Sequence, residues 1–250
     1  MFVATQRIGF GGQAAAAVPI TVPAVAFDGT NDYLTRGAGL TGAADSKTMT
    51  GSIWALSGAD GVVDAIIFST GNAFALLRQS TNRAVIEAEN AAGTGILDIG
   101  SSTNSMQVAD GWIHILFSVD LADATKRHLY INGVSDLAVV TYTDDTIDFT
   151  VADWAIGATT APANILTGDL AQLWFAPGQY IDLSYPPNRR KFRSLAGKPV
   201  DLGADGSLPT GVAPLIYFNN AVASWQTNLG TGGGFTENGA LGTAGTSPSD

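Results

Sequence analysis

Cysteine is absent from the 250 residues, so no disulfide framework holds this chain together. That suits folding in a reducing cytoplasm and leaves export open. Charge is also sparse: Asp, Glu, Lys and Arg make up 14% of the chain, against a usual share of about 25%. Glutamate occurs only at Glu87, Glu89 and Glu237, and the rest of the acid is aspartate, a residue of turns more than of helices. With 12 basic and 22 acidic residues the net charge is −10, which argues against nucleic acid as a partner, because phosphate binding needs clustered Lys and Arg. No apolar run reaches the roughly 18 residues of a membrane helix, so no membrane insertion is expected. No G-x-S-x-G elbow, H-x-H pair or H-E-x-x-H motif occurs, which removes the commonest signals of a serine hydrolase or a zinc enzyme.

What is present is apolar and rich in turns. Hydrophobic residues make up 46%, and there are 30 glycines. The stretch Gly111 to Gly133 (GWIHILFSVDLADATKRHLYING) organises the rest. Ile113, Ile115, Phe117 and Val119 alternate with Trp112, His114, Leu116 and Ser118, the side-chain period of a two-faced strand. After a polar loop, Arg127 to Ile131 resumes the alternation, with Leu129 and Ile131 on one side and His128 and Tyr130 on the other. Asn132-Gly133 then supplies the dipeptide that best tolerates positive φ. Ile115, Phe117, Leu129 and Ile131 are expected to face a core.

Short strands recur along the chain at Val25 to Phe27, Tyr33 to Thr35, Met49 to Leu56, Val62 to Ser69, Ala73 to Arg78, Arg83 to Glu89 and Gly95 to Ile99. Beyond the central hairpin come Leu137 to Tyr142, Trp154 to Gly157 and Leu170 to Phe175. Turn signals every eight to twelve residues are the pattern of a sandwich or barrel. One helix is expected, opened by Pro186-Pro187 and running from Asn188 to Ala196 before Gly197 stops it. Phe192 and Leu195 would dock it, leaving Arg189, Arg190, Lys191 and Arg193 to solvent or acidic neighbours.

Three regions follow. Residues 1–23 read as an extended arm, of a kind that lies on a neighbouring subunit. Arg7 ahead of the apolar Ala14 to Ala26 has the outline of a signal peptide, but Gly9, Gly11, Gly12, Pro19 and Pro23 favour the arm. Residues 24–180 form the β-sandwich. Residues 181–250 hold the helix and a Gly- and Pro-rich segment with a strand at Leu215 to Phe218, packed on the sandwich or on neighbouring copies.

Three motifs, in order, carry a family likeness: Phe27-Asp28-Gly29-Thr30-Asn31-Asp32-Tyr33-Leu34, then Trp112 to Val119 with Leu129-Tyr130-Ile131-Asn132-Gly133, then Ile156-Gly157 with Gly168 to Trp174. Together they resemble the laminin G-like, concanavalin A-like jelly roll over roughly residues 24–176; Leu166 stands where that family usually has an aromatic. The resemblance implies an all-β antiparallel sandwich with one short helix and an irregular C-terminal segment. Lys191-Phe192, Gly197 to Gly203, Asp205 to Ser207 and the closing Ser247-Pro248 are similar to the C-terminal part of laminin G-like proteins from tailed-phage and prophage structural gene clusters. That likeness implies a non-enzymatic virion surface component, made in the bacterial host cytoplasm: a tail fibre, tail tip or capsid decoration. Its partners would be other virion proteins, copies of itself in a homo-oligomer such as a trimer, and a host surface glycan. The alternatives are a free or secreted carbohydrate-binding module and, third, a glycoside hydrolase.

Hydrolysis by a retaining mechanism needs two carboxyl groups about 5–5.5 Å apart. The nearest candidates are Glu87 and Glu89, about 6.5–7 Å apart along a strand, with no third acid in register. Catalysis is therefore not expected. For glycan stacking, Trp225 in a polar loop and Tyr142 are the candidate platforms, whereas Trp112, Trp154 and Trp174 fall at core positions. His114 and His128 read as hydrogen-bonded strand residues. Laminin G-like and pentraxin-like relatives hold Ca²⁺ at the sandwich rim, and the likeness makes Asp28, Asn31, Asp32, Asp144, Asp145 and Asp148 the candidate oxygen ligands. The competing role for these side chains is turn capping.

Overall fold

A computed structural model describes residues 20–61, 64–71 and 73–250. Expectations that fall on residues 1–19 and on Val62 and Val63 lie outside the described residues.

The alternating segments become strands close to where their periodicity puts them. In chain order they are β1 (Ala24–Asp28), β2 (Tyr33–Arg36), β3 (Thr48–Ser57), β4 (Ala65–Thr70), β5 (Phe74–Arg78), β6 (Ala84–Glu89), β7 (Gly95–Gly100) and β8 (Trp112–Asp120). These are followed by β9 (Arg127–Ile131), β10 (Val134–Ser135), β11 (Ala138–Tyr142), β12 (Trp154–Ile156), β13 (Thr167–Pro177), α1 (Pro186–Arg189), β14 (Ile216–Phe218), β15 (Thr236–Asn238) and β16 (Gly242–Thr243).

All ladders are antiparallel and form two sheets. The first has the order β10-β9-β8-β3-β13-β1-β16, with β14 also paired to β13; the second runs β11-β7-β6-β5-β4-β12-β2-β15. In the central hairpin Ile115 pairs with Ile131 and Phe117 with Leu129. Asn132 (φ 51°) and Gly133 (φ 82°) make the left-handed turn into β10 that their types favour. β13 serves two partners on one edge, Ala24–Asp28 of β1 along its first half and β14 along its second. A bulge separates the halves, where Gln172 takes φ 46° and donates from Nε2 to the carbonyl of Val200 at 2.8 Å.

The core lies between the sheets. Ile115, Phe117, Leu129 and Ile131 are buried there, with Phe175 at the centre of an aromatic cluster. Its ring centroid is 4.9 Å from Phe74, 5.2 Å from Phe68, 6.0 Å from Phe149, 6.3 Å from Trp154 and 6.4 Å from Phe117. Gly51 on β3 makes room for the Phe117 ring, since a Cβ there would stand 2.3 Å from Cζ.

The opposite face of the first sheet is buried as well. Leu116 and Trp174 pack there with Ile181, Leu183, Phe192, Val200, Leu202 and Tyr217 of the C-terminal segment. That segment also adds β14, β15 and β16 to the sheet edges. The last residues hold the entering chain: Ser249 Oγ accepts from the Val22 amide at 2.9 Å, and Ser247 Oγ donates to the Val22 carbonyl at 2.9 Å.

The helix is much shorter than its sequence pattern predicts, ending at Arg189. Phe192 turns inward onto Trp174, 5.1 Å away. Ser194 Oγ then accepts from the Lys198 amide at 3.0 Å, and Arg193 bridges to Pro199. These contacts pull the chain out of helical hydrogen bonding. Leu195, expected to dock, is 72% exposed.

Candidate functional site

The outer face of the second sheet differs from that of the first in one respect: its β6–β7–β11 end is open. Glu87 of β6 points out there, directly opposite Ala75 of β5 and Asp98 of β7. Paired residues on adjacent antiparallel strands have Cβ atoms about 4.5–5.5 Å apart, so these two carboxyl groups share one spot. Asp98 is in turn opposite Thr141 of β11. A bulge between Ala88 and Glu89 sets Glu89 against Gly95, and Glu89 lines the same cleft. The cleft has a volume of about 250 Å³, with the half-buried Ala75 supplying an apolar side chain.

Removal from water pushes the Glu87 carboxyl above its ordinary range, and the negative charges of Asp98, Asp64 and Glu89 push it the same way. Clustered carboxyl oxygens beside an apolar floor can accept hydrogen bonds from several hydroxyl groups at once. The sequence points to Glu87 and Glu89 but misses Asp98. The missing signal was the register of the β6–β7 hairpin, which turns through Asn90 to Thr94 and brings Glu87 opposite Asp98.

The rim aspartates do not form one site. Asp28, Asn31 and Asp32 lie in the β1–β2 turn, whereas Asp144 and Asp145 follow β11 at the other edge of the second sheet. Asp28 Oδ1 accepts from the amides of Thr30 (2.7 Å) and Asn31 (3.1 Å), which holds its carboxyl below the ordinary range. Buried Asp32 accepts from the Asp28 amide at 3.2 Å and, through its other oxygen, from the Ala240 amide at 2.9 Å. Asp144 pairs with Lys47 at 2.7 Å, Asp145 accepts from Asn90 Nδ2 at 2.7 Å, and Asp148 accepts from the Thr150 amide at 3.0 Å. Among the described residues no three His, Asp or Glu side chains converge as metal ligands. The carboxylates are directed at N–H donors and at Lys47, the turn-capping role that competes with calcium binding.

The two aromatic platforms are also placed differently from expectation. Trp225 is 0% exposed, 5.1 Å from Phe218 and 6.1 Å from Phe27. A single 3₁₀ turn at Val222–Ser224 swings it from a polar loop into the core, so it cannot stack on a sugar. Tyr142 is half-buried; its hydroxyl donates to the Asp120 carbonyl at 2.8 Å and the Arg127 guanidinium lies 5.3 Å from its ring centroid. Burial, the largest cause, pushes its phenol up to about 12. The histidines stay apart: His114 Nε2 is 2.8 Å from Ser52 Oγ, and His128 Nε2 is 2.8 Å from the Tyr180 hydroxyl.

No curated protein matches the chain. Among solved structures it is similar to a Bacteroides ovatus protein described as carbohydrate binding, at 12% identity and a TM-score of 0.60, covering 92% of this chain. The chain spans 62% of the length of that protein. It is also similar to the heptameric SAP-like pentraxin of Limulus polyphemus, at 13% identity and a TM-score of 0.49, over 92% of this chain and 98% of the pentraxin. Domains LG4-5 of the mouse laminin α1 chain align over 66% of this chain and 44% of theirs, at 16% identity and a TM-score of 0.41. The family model of the concanavalin A-like lectin/glucanases superfamily matches residues 28–177. That match runs from the end of β1 to the end of β13, the span of the two-sheet sandwich that the laminin G-like motifs predict, and the chain belongs to this superfamily.

Proposed function

We propose that this chain is a non-enzymatic, lectin-like carbohydrate-binding module whose site is the acidic cleft on the second sheet. The observation that carries the reading is the convergence of Glu87, Asp98, Glu89 and Thr141 at the open β6–β7–β11 end of the second sheet's outer face. Carboxylates accept hydrogen bonds from vicinal sugar hydroxyls, and Ala75 offers a small apolar contact to a ring. A carboxyl raised by desolvation and facing a second one is also what a retaining hydrolase uses, so release of reducing sugar is assayed beside binding. Neutral saccharides fit it best, because an acidic sugar would meet like charge. The test is a glycan array followed by calorimetric titration of Glu87→Gln and Asp98→Asn. Loss of binding with unchanged folding supports the reading; release of reducing sugar that Glu87→Gln abolishes would instead make the protein a hydrolase.

A second reading puts the same module on a tailed-phage virion, as a tail fibre, tail-tip or capsid-surface component present in several copies and binding a host glycan. Its support is the phage-like order of the segment from Lys191 to Ser207. Exposed valines along one side of the sandwich add to it: Val134 (68%) on β10 and Val140 (71%) on β11, a strip that copies of the chain could cover. Detection of the chain in purified particles would favour this reading; a monomer absent from particles would remove it.

A further inference from the structure

Beneath α1, on the covered outer face of the first sheet, lies a second cavity of about 170 Å³ lined by His114, Gly133, Arg189, Arg190 and Arg193. At roughly 30 Å³ per water molecule in the liquid, it has room for a small polyatomic group. Three guanidinium groups meet here in a chain whose net charge is −10. Among the described residues no carboxylate lies within ion-pairing distance of any of the three; the ion pairs involve Lys47, Lys126 and His128 instead. Residues 1–19, 62, 63 and 72 contain no Asp or Glu, so they bring no counter-charge either.

Arg193 is the most enclosed of the three. Its guanidinium lies 6.0 Å from the Trp54 ring centroid, and its Nε is buried without a hydrogen-bond partner. Two glycines hug it: a Cβ on Gly133 would stand 3.2 Å from Nη1, and one on Gly197 2.7 Å from Nη2. Arg189 is fixed over the Tyr130 ring at 4.5 Å and donates to the carbonyls of Leu183 and Ser184. Arg190 is exposed. His114 is fully buried, stacked on Trp54 at 4.7 Å; Ser52 takes its Nε2, and Nδ1 has no partner. Burial first, and the charge of Arg193 second, push His114 down to about 3, so it is neutral near pH 7. The tautomer with its proton on Nδ1, in which the Ser52 hydroxyl donates to Nε2, makes Nδ1 a donor. A desolvated, unpaired cation beside an unpaired buried donor is unfavourable unless an acceptor with negative charge completes it.

We propose that this cavity binds an oxyanion group, a sulfate, phosphate or carboxylate, through Arg193, Arg190 and Arg189, with His114 Nδ1–H as a buried donor. Guanidinium forks match such groups with paired hydrogen bonds. The site stands on its own geometry and does not depend on the carbohydrate-binding reading of the acidic cleft. The anion is either free or carried as the acidic group of a sugar.

The test is calorimetric titration of the full chain with sodium sulfate, sodium phosphate, sodium glucuronate and N-acetylneuraminate, against sodium chloride at matched ionic strength. Saturable one-site binding is expected, absent with chloride. Arg193→Lys keeps the charge and loses the fork; Arg190→Gln alters an exposed residue and leaves folding intact. Each is expected to weaken binding by about tenfold or more, as loss of a charge-assisted hydrogen bond does. Tighter binding of the acidic sugars than of the inorganic ions would identify a saccharide-borne group, and the reverse a free anion. Glu87→Gln and Asp98→Asn are expected to leave this titration unchanged, which separates it from the cleft. The proposal is overturned by the absence of saturable binding for all four anions, or by binding that Arg190→Gln and Arg193→Lys leave intact.

Discussion

Replacing Trp225 by alanine separates an exposed sugar platform from a core residue. Its indole is fully buried between Phe218 and Phe27 and belongs to the main inter-sheet core. Truncating a buried Trp to Ala costs about 3–5 kcal/mol, the sum of lost transfer energy and the cavity left behind. At about 2–4 °C per kcal/mol for a chain of this size, the melting temperature should fall by roughly 6–20 °C. Trp225→Phe should cost less, because it keeps most of the ring volume and removes an indole Nε1 that has no hydrogen-bond partner. Differential scanning calorimetry on the three proteins measures this, with sugar binding assayed at a temperature where all are folded. A fall of less than about 2 °C for Trp225→Ala, together with loss of glycan binding, would refute the buried placement.

Further outcomes follow from the same geometry. Phe117→Ala should cost roughly 3–5 kcal/mol by denaturant titration, and Gly51→Ala should also destabilise by driving a Cβ into the Phe117 ring. The raised Glu87 carboxyl keeps its proton longer in the folded than in the unfolded chain, so its contribution to stability declines as pH rises through the interval between its unfolded and folded values. Glu87→Gln should therefore melt higher than the parent at pH 7, and the difference should vanish below about pH 4. Deleting residues 1–23 should lower the mass measured by light scattering if copies assemble through the arm; an unchanged oligomer would deny the arm that role.

How far the sequence could be read varied with the range of the interaction. Alternation in Ile113 to Val119 gave the strand and its inward face directly, because a period of two is local. The helix stops at Arg189 and does not run on to Ala196, since Phe192 docks on Trp174 and the Ser194 hydroxyl accepts from the Lys198 amide, contacts that no local pattern carries. Trp225 sits among polar residues, and only the 3₁₀ turn before it directs it inward. The partnership of Glu87 with Asp98 depends on a hairpin register that includes a bulge. His114, read as a strand residue, proved fully enclosed because the C-terminal segment covers its face of the sheet.

The most direct test of the central claim is to map a bound saccharide on the molecule by amide chemical-shift perturbation, using a neutral glycan selected from an array. The account predicts saturable shifts concentrated at Ala75, Glu87 to Glu89, Gly95 to Asp98 and Thr141, with the saccharide recovered intact. Shifts centred on the Asp28 to Asp32 turn instead, or cleavage of the saccharide during the titration, would contradict it.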